Sequence, residues 1–180
     1  MNFSFTDRQT QTLMSIMAVA QKVQNAAMHP EPGQRPRSLV MIVIDTIHLV
    51  KPRESTDNRR RDRFTDIAEI SRGLRWLAEQ TRCHVIALAQ IGRAAEKDTD
   101  KTPRIHQIKE CGNIEDDADN VLLIDRDYDK FNRPKDDIEK IIVAKQRDGE
   151  TGIVWTTVNT SQMRFENYVQ SGGYTPGMSE

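Results

Sequence analysis

Two short apolar runs with a helical pattern between them constrain the fold of this chain more than any other feature. The first run is Leu39–Ile44 and the second is His84–Ala89. Between them, apolar residues recur at helical spacing from Phe64 to Ala78. Strands this short, joined by a crossover helix, are typical of a right-handed βαβ unit in a parallel sheet. The continuous apolar character of the first run further predicts a strand that is buried on both faces.

The remaining patterns predict a helix before this unit and an antiparallel part after it. Thr6 and Gln9 form a capping-box pattern ahead of apolar residues that recur at helical spacing from Leu13 to Ala27. Asp148 and Gly149 are hairpin-turn residues between two strand candidates. The elements expected after the βαβ unit are a short helical piece that includes Ile105–Glu110 and strands at Val121–Ile124, Ile138–Gln146, Ile153–Val158 and Met163–Tyr168. The predicted fold class is α/β, with a mainly parallel sheet and an antiparallel hairpin extension at the carboxyl end.

Length and charge restrict the classes of protein to which the chain can belong. With 180 residues, one domain is expected. The 26 Lys and Arg residues nearly cancel the 27 Asp and Glu residues, so the net charge of -1 excludes a globally basic nucleic-acid coat protein. The sequence has no apolar run long enough to span a bilayer and no secretory signal, which predicts a cytoplasmic protein with no membrane partner. Cys83 and Cys111 cannot form a disulfide framework and are interpreted as reduced thiols.

Polar residues come directly after both apolar runs. Asp45 follows the first run and Gln90 follows the second. In an open α/β sheet, ligands bind outside the carboxyl ends of the strands. A carboxylate there can hold a hydrated magnesium ion beside a nucleotide, and an amide can orient a terminal phosphate or an attacking water. The pair predicts a site for nucleotide hydrolysis, although a polar residue such as Asp45 can also simply end a strand.

Four stretches of the sequence, in this order, resemble the carboxyl-terminal RecA-like motor domain of DnaB-type replicative DNA helicases. They read VMIVIDTIHLV, ISRGLRWLAEQTRCHVIALAQIGRAAE, ECGNIEDDADNVLLIDRD and VAKQRDGETG. The resemblance covers about residues 7 to 169. It implies a partial RecA-like P-loop NTPase domain over residues 1–170, followed by a flexible tail at 171–180. The implied activity is ATP-dependent DNA unwinding in DNA replication, with ATP and Mg²⁺ as cofactors.

The resemblance also assigns roles around the nucleotide. Asp45 corresponds to the Walker B aspartate, which positions magnesium through water. Gln90 corresponds to the glutamine that couples the terminal phosphate to the DNA-facing elements. Lys145 and Arg147 correspond to the lysine and the arginine finger that reach the nucleotide on a neighbouring subunit of an oligomeric ring. The alternative is that both are exposed cations of a hairpin.

A second set of residues resembles the family's DNA-binding loop. Lys109, Glu110, Cys111 and Gly112 stand where the family has an RESG-like sequence, which implies contact with the backbone of single-stranded DNA. A lysine attracts phosphate without the planar fork of arginine, and Gly112 permits close approach of the backbone. The acidic run Glu115–Asp119 is interpreted as the solvated start of a helix. The basic segment Lys51–Arg63, with Arg59, Arg60 and Arg61, is either a sequence-independent DNA contact or a solvated loop.

The sequence contains no GxxxxGK[ST], the turn whose amides and lysine hold a triphosphate in this family. By the resemblance, its first helix corresponds to a region downstream of that turn. ATP hydrolysis is therefore expected only with a polypeptide that carries a Walker A motif. Four functions remain open: a helicase half that works in a homo- or hetero-oligomeric ring, a non-catalytic module that binds or modulates an intact ring, an inert remnant, and a metal-dependent nuclease. The nuclease would use Asp45 with Asp125 or Asp127.

Overall fold

The computed structural model describes residues 12–29, 32–33, 39–52, 62–92, 102–108, 114–129, 133–134 and 136–168. They divide into two compact units. The first takes its described residues from Met1–Lys97 and His106–Ala118, and the second from Asp98–Ile105 and Asp119–Glu180. Several predictions lie outside the described residues, namely those on Thr6 and Gln9, on Arg59, Arg60 and Arg61, on Lys109, Glu110, Cys111 and Gly112, and on the tail at 171–180.

The first unit contains a parallel pair of strands. Its elements are α1 (Leu13–Met28), β1 (Met41–Ile44), a 3-10 turn (Ile47–Leu49), α2 (Arg63–Thr81), β2 (His84–Ala87) and the short α3 (Ile114–Asp117). β1 and β2 are parallel, with Met41 opposite His84 and Ile44 opposite Ala87. Since α2 connects them along the chain, the predicted parallel pair with a helical crossover is confirmed.

Helix α1 begins one residue after Thr12, which is its N-cap. The Thr12 hydroxyl accepts a hydrogen bond from the Ser15 amide at 3.1 Å, and the Ser15 hydroxyl accepts one from the Thr12 amide at 3.0 Å. This capping box satisfies two amides that a helix start otherwise leaves without a partner. The Leu13 amide donates to the Lys51 carbonyl at 3.0 Å, which ties the start of α1 to the segment after β1.

One face of the β1–β2 pair packs against helices α1 and α2. Ile42 and Val85 are partly buried on this face. A Cβ atom added to Gly73 of α2 would lie 2.3 Å from Leu13 Cδ2, so glycine permits the close approach of the two helices. The buried members of this core are Leu13, Ala20, Ile44, Ile47, Val50, Ile67, Ile70, Leu74 and Leu77.

The prediction that the first strand is buried on both faces is wrong for the described residues. Val43 is 57% exposed and its pairing partner Ile86 is 42% exposed, and Met41 is also exposed. These side chains alternate with Ile42 and Ile44, so they form the face of the pair opposite the helices. An apolar run indicates that the side chains on both faces of a strand favour burial. It does not indicate that residues of the same chain pack against both faces.

The second unit is an antiparallel sheet in the order β3-β4-β5-β6. Its strands are β3 (Asn120–Asp125), β4 (Ile138–Gln146), β5 (Gly152–Asn159) and β6 (Arg164–Asn167). The hairpin predicted around Asp148 and Gly149 is confirmed as the β4–β5 connection. The α/β class is confirmed as well, but the antiparallel part is larger than a hairpin. It has four described strands against two parallel ones, because the strand predicted at Val121–Ile124 pairs with β4.

Ion pairs join the end of β3 to the start of β4 in this antiparallel sheet. Arg126 contacts Glu139 and Asp137 at 3.4 Å each, and the Arg126 and Glu139 side chains are only 10% and 12% exposed. Lys140 contacts Asp125 at 3.4 Å and lies 5.4 Å from the centre of the Trp155 ring. These partly buried charged side chains are therefore paired with opposite charges, which reduces the cost of removing them from water.

Two further expectations concern thiols and membranes. Cys83 is a buried free cysteine, as predicted, and its sulfur lies 2.9 Å from the Thr81 hydroxyl. Among the helices that the structure describes, none has both the length and the apolar character needed to cross a membrane.

Candidate nucleotide site

Asp45 and Gln90 lie at the same end of the parallel pair. Asp45 follows Ile44, the last residue of β1, and Gln90 comes three residues after Ala87, the last residue of β2. Ile44 and Ala87 are paired, so the two segments leave the sheet side by side. Both Asp45 and Gln90 are exposed. The parallel register therefore brings these two predicted site residues to one edge, where ligands of α/β sheets bind.

The Leu88 carbonyl oxygen holds the two strand ends together. It accepts a hydrogen bond from the Thr46 hydroxyl at 2.7 Å and another from the Ile47 amide at 2.9 Å. The Leu88 amide in turn donates to the Ile44 carbonyl at 2.9 Å. The peptide bond between Asp45 and Thr46 is cis. Three hydrogen bonds thus fix the backbone on either side of Asp45 against the segment that leads to Gln90.

The chain directly after Gln90 pairs with the segment that precedes the predicted DNA-binding loop. Ile91 forms an antiparallel bridge with Ile108, and the Gly92 amide donates to the Gln107 carbonyl at 2.6 Å. Ile108 is buried, and Lys109 follows it in the sequence. Gln90 is therefore one residue from a backbone bridge that leads into the loop of Lys109, Glu110 and Gly112, which itself lies outside the described residues.

Lys145 and Arg147 lie at the end of β4 and the start of the β4–β5 turn. A register shift sets Val143 opposite Leu122 but Lys145 opposite Val121, so Ala144 is the additional residue of a bulge. The Arg147 amide donates to the Asp119 carbonyl at 3.0 Å, and Arg147 Nη1 lies 2.5 Å from Asp119 Oδ1. The interpretation of Glu115–Asp119 as a helix start thus holds for the residues up to Asp117 only. Asp119 lies beyond α3 and contacts Arg147.

The four predicted nucleotide-site residues belong to different units. Asp45 and Gln90 lie in the first unit, whereas Lys145 and Arg147 lie in the second. Sequence reasoning missed Asp119 as a partner of Arg147. The available signal was that Asp119 lies two residues before the strand predicted at Val121–Ile124, near the point where the end of an antiparallel neighbour would lie.

The described strand ends offer the carboxylate of Asp45 to a metal ion. Among the residues that the structure describes, His, Cys, Asp and Glu form no group of three that could hold a metal ion. Asp125, named for the nuclease alternative, contacts Lys140 instead. Mg²⁺ commonly keeps several waters and uses one or two carboxylates together with substrate phosphates. The single exposed carboxylate of Asp45 fits that donor set.

Comparison with known protein families identifies the family to which the chain belongs. The family described as DnaB-like helicase C terminal domain matches residues 1–167 of the chain. The chain belongs to this family. The resemblance drawn from the sequence motifs is therefore confirmed over nearly the whole chain.

Curated DnaB relatives are considerably longer than the matched region. The chain is 39% identical over 132 residues to the replicative DNA helicase DnaB of Buchnera aphidicola subsp. Acyrthosiphon pisum. It is 40% identical over 131 residues to the replicative DNA helicase DnaB of Geobacillus stearothermophilus. Each match covers 72% of this chain but 28% of the relative. The matched part of the chain thus spans less than a third of the length of these helicases.

Two solved structures share the fold. A DnaB-like replicative helicase, described with its interactions with primase, matches with a TM-score of 0.72 and 32% identity. A second structure, described as an ATPase domain, matches with a TM-score of 0.72 and 30% identity. Both cover 88% of this chain, against 36% and 52% of the matched chains. The RecA-like prediction is accordingly confirmed as a likeness to DnaB-like ATPase domains.

Proposed function

We propose that this chain, over residues 1–170, is the carboxyl-terminal part of an ATP-dependent replicative DNA helicase motor. Its phosphate-binding turn would lie on polypeptide outside this sequence. The observation that best supports the proposal is the side-by-side exit of β1 and β2, which brings Asp45 and Gln90 to one sheet edge. Membership of the DnaB-like family supports the substrate class.

In this proposal, Asp45 and Gln90 perform different tasks at the same triphosphate. The Asp45 carboxylate would hold water molecules of a magnesium ion, which when bound offsets the charge of the phosphate oxygens. The neutral Gln90 amide can both donate and accept, so it can orient the terminal phosphate or an attacking water. The hydrogen bonds on Leu88 stabilise this arrangement because they hold the backbone after Asp45 against the backbone before Gln90.

Lys145 and Arg147 would act on the nucleotide of a neighbouring subunit. Arginine presents its donors in a planar fork that matches phosphate oxygens, and lysine acts as a compact positive charge. Positive charge placed at a transferring phosphoryl group stabilises the transition state in related phosphoryl-transfer enzymes by about 10³- to 10⁵-fold in kcat. The position of Arg147 at a turn, rather than inside a strand, is compatible with contact to another subunit.

Single-stranded DNA is the proposed second ligand. Lys109, Glu110 and Gly112 would contact its backbone, and the short bridge between Ile91 and Ile108 supports a mechanical link from Gln90 to this loop. A change in the position of Gln90 on loss of the terminal phosphate would then be transmitted through one pair of backbone contacts.

The proposal is tested by reconstitution. The chain is co-expressed with the segment of Geobacillus stearothermophilus DnaB that precedes the region matched by this chain, and DNA-stimulated ATP hydrolysis is measured. We expect activity in the assembly and none in either part alone. Asp45→Asn should abolish it, whereas Glu79→Gln, which changes an exposed acid of α2, should leave it unchanged.

The arginine is tested in the same assembly. Arg147→Ala should lower kcat by about 10³-fold, while Arg164→Ala, at an exposed arginine of the same sheet, should not. An assembly that forms without any ATP hydrolysis would contradict the proposal, as would full activity in Asp45→Asn.

A second candidate function is a non-catalytic module that binds a complete helicase ring. The exposed face of Met41, Val43 and Ile86 favours it, because contiguous exposed apolar side chains mark interaction surfaces. Mixing the chain with intact Geobacillus stearothermophilus DnaB distinguishes the two functions. A module would bind the intact ring and change its unwinding rate, whereas a helicase half would require the complementary segment.

A further inference from the structure

Asp119 and Arg147 make two separate contacts with each other. The backbone contact joins the Arg147 amide to the Asp119 carbonyl, and the side-chain contact joins Nη1 to Oδ1. Asn120, which follows Asp119, is paired with Gln146, which precedes Arg147, in the β3–β4 ladder. The side-chain pair is therefore set on a backbone that the sheet already holds in register.

This ion pair is poorly suited to a role in stability. The Arg147 side chain is 45% exposed and the Asp119 side chain is 56% exposed. Pairs at such exposure contribute about 0–1 kcal/mol, because solvent screens them and both side chains lose conformational freedom. The much less exposed pair of Arg126 with Glu139, in the same sheet, is better placed to stabilise the fold.

Asp119 makes its closest ion-pair contact with one terminal nitrogen of Arg147, Nη1. A guanidinium carries five N–H donors in a fixed plane, so one group can be held while the others face a second anion. A lone arginine, by contrast, must lose rotamer freedom at the moment when it binds phosphate.

We propose that Asp119 is a positioning residue that holds the Arg147 guanidinium in the orientation in which it meets a triphosphate. This inference rests on the proposed function of Arg147. The bulge at Ala144 contributes to the same arrangement, because bulges redirect the side chains that follow them. Preorganised charge is effective in phosphoryl transfer because no reorganisation is needed when the transition state forms.

The test uses the reconstituted assembly with Asp119→Asn, which keeps the shape of the side chain and removes its charge. The matched control is Asp116→Asn, at an exposed acid of the same run. We expect Asp119→Asn to lower kcat by about 10- to 100-fold, as a small misplacement of a catalytic group does, with little change in KM for ATP. The urea midpoint of the isolated chain should stay unchanged in both variants.

A double-mutant cycle separates failure of this inference from failure of the proposed function. Adding Asp119→Asn to Arg147→Ala should cause no further loss of kcat, because the positioned group is already absent. If Arg147→Ala lowers kcat but Asp119→Asn does not, or if the two losses multiply, Asp119 is not a positioning residue. If Arg147→Ala itself has no effect, the proposed role of Arg147 is wrong.

A measurement on the isolated chain tests the contact without any activity. The NMR signal of the Arg147 guanidinium should shift in Asp119→Asn and stay in place in Asp116→Asn. An unchanged signal in Asp119→Asn would overturn the inference.

Discussion

At the scale of single residues, one carbonyl oxygen determines how the candidate site is held. Leu88 accepts hydrogen bonds from the Thr46 hydroxyl and the Ile47 amide, so the segment after Asp45 is fixed to the segment before Gln90. Asp45 itself is exposed and makes no comparable contribution to the core. Residues that support the site and residues that would perform chemistry are therefore distinct.

Thr46→Val should destabilise the chain by about 1 kcal/mol, because the hydroxyl bond to Leu88 is lost while the side-chain shape is kept. Urea denaturation measures the change. Thr46→Ser retains the hydroxyl and should cost less. Thr156→Val, which removes a longer 3.3 Å bond to the Glu139 carbonyl, is the matched control and should have a smaller effect. Equal losses in Thr46→Val and Thr156→Val would contradict this interpretation.

Glu166 provides a prediction about pH. A hydrogen bond and the positive charge of Arg164 hold the pKa of the Glu166 carboxyl below its usual value. A lowered pKa in the folded state means that the interaction stabilises the fold at neutral pH and is lost as the pH falls through that pKa. An NMR titration should therefore give Glu166 a low pKa, and Arg164→Ala should raise it. An unchanged pKa in that variant would exclude Arg164 as the cause.

At the scale of secondary-structure elements, the contact between α1 and α2 depends on a residue without a side chain. A Cβ at Gly73 would overlap the buried Leu13 side chain, whose Cδ2 would be 2.3 Å away. Overpacking of this kind forces side chains or backbone to shift. The capping box at Thr12 further fixes where α1 begins, directly beside Leu13.

Gly73→Ala should lower the free energy of unfolding by up to about 2 kcal/mol, because the cost of moving the helices apart or changing the Leu13 rotamer exceeds the roughly 1 kcal/mol by which alanine is favoured over glycine within a helix. Gly152→Ala is the control, since an added Cβ there has no heavy atom within 4 Å. Chemical denaturation of both variants measures the difference. A Gly73→Ala variant as stable as Gly152→Ala would contradict the packing argument.

The parts of the fold that could be predicted from sequence are those that depend on residues close together in the chain. Helix α2 and the β4–β5 hairpin follow from local periodicity and from the Asp148–Gly149 turn, which is information within a short stretch. The exposed face of Val43 and the pairing of β3 with β4 depend on residues distant in sequence. The contact between Asp119 and Arg147 was missed for the same reason. The roles of Asp45, Gln90, Lys145 and Arg147 stay predictions, because only their positions have been observed.

At the scale of the whole molecule, the match to the Buchnera aphidicola DnaB covers 28% of that relative, and one face of the β1–β2 pair exposes apolar side chains among the described residues. Val43 and Ile86 are paired at the centre of that face. An exposed apolar surface of this kind favours association. We therefore expect this sheet face to act as an association surface.

The isolated chain should therefore self-associate, and the combined Val43→Thr and Ile86→Thr substitutions should reduce association. Sedimentation velocity over a range of concentrations measures it. The control combines Val19→Thr and Met28→Thr, two exposed apolar positions of α1, and should have little effect. A monodisperse monomer of the unmodified chain at every concentration would contradict the inference about the sheet face.

Asp45 and Gln90 are proposed to face a triphosphate whose phosphate-binding turn lies on other polypeptide. Equilibrium binding of a fluorescent ATP analogue, with and without Mg²⁺, tests it most directly when the isolated chain is compared with the co-expressed assembly. We expect no saturable binding to the isolated chain, and Mg²⁺-dependent binding to the assembly that Asp45→Asn weakens. Tight ATP binding and brisk hydrolysis by the isolated chain, both abolished by Asp45→Ala, would contradict the claim.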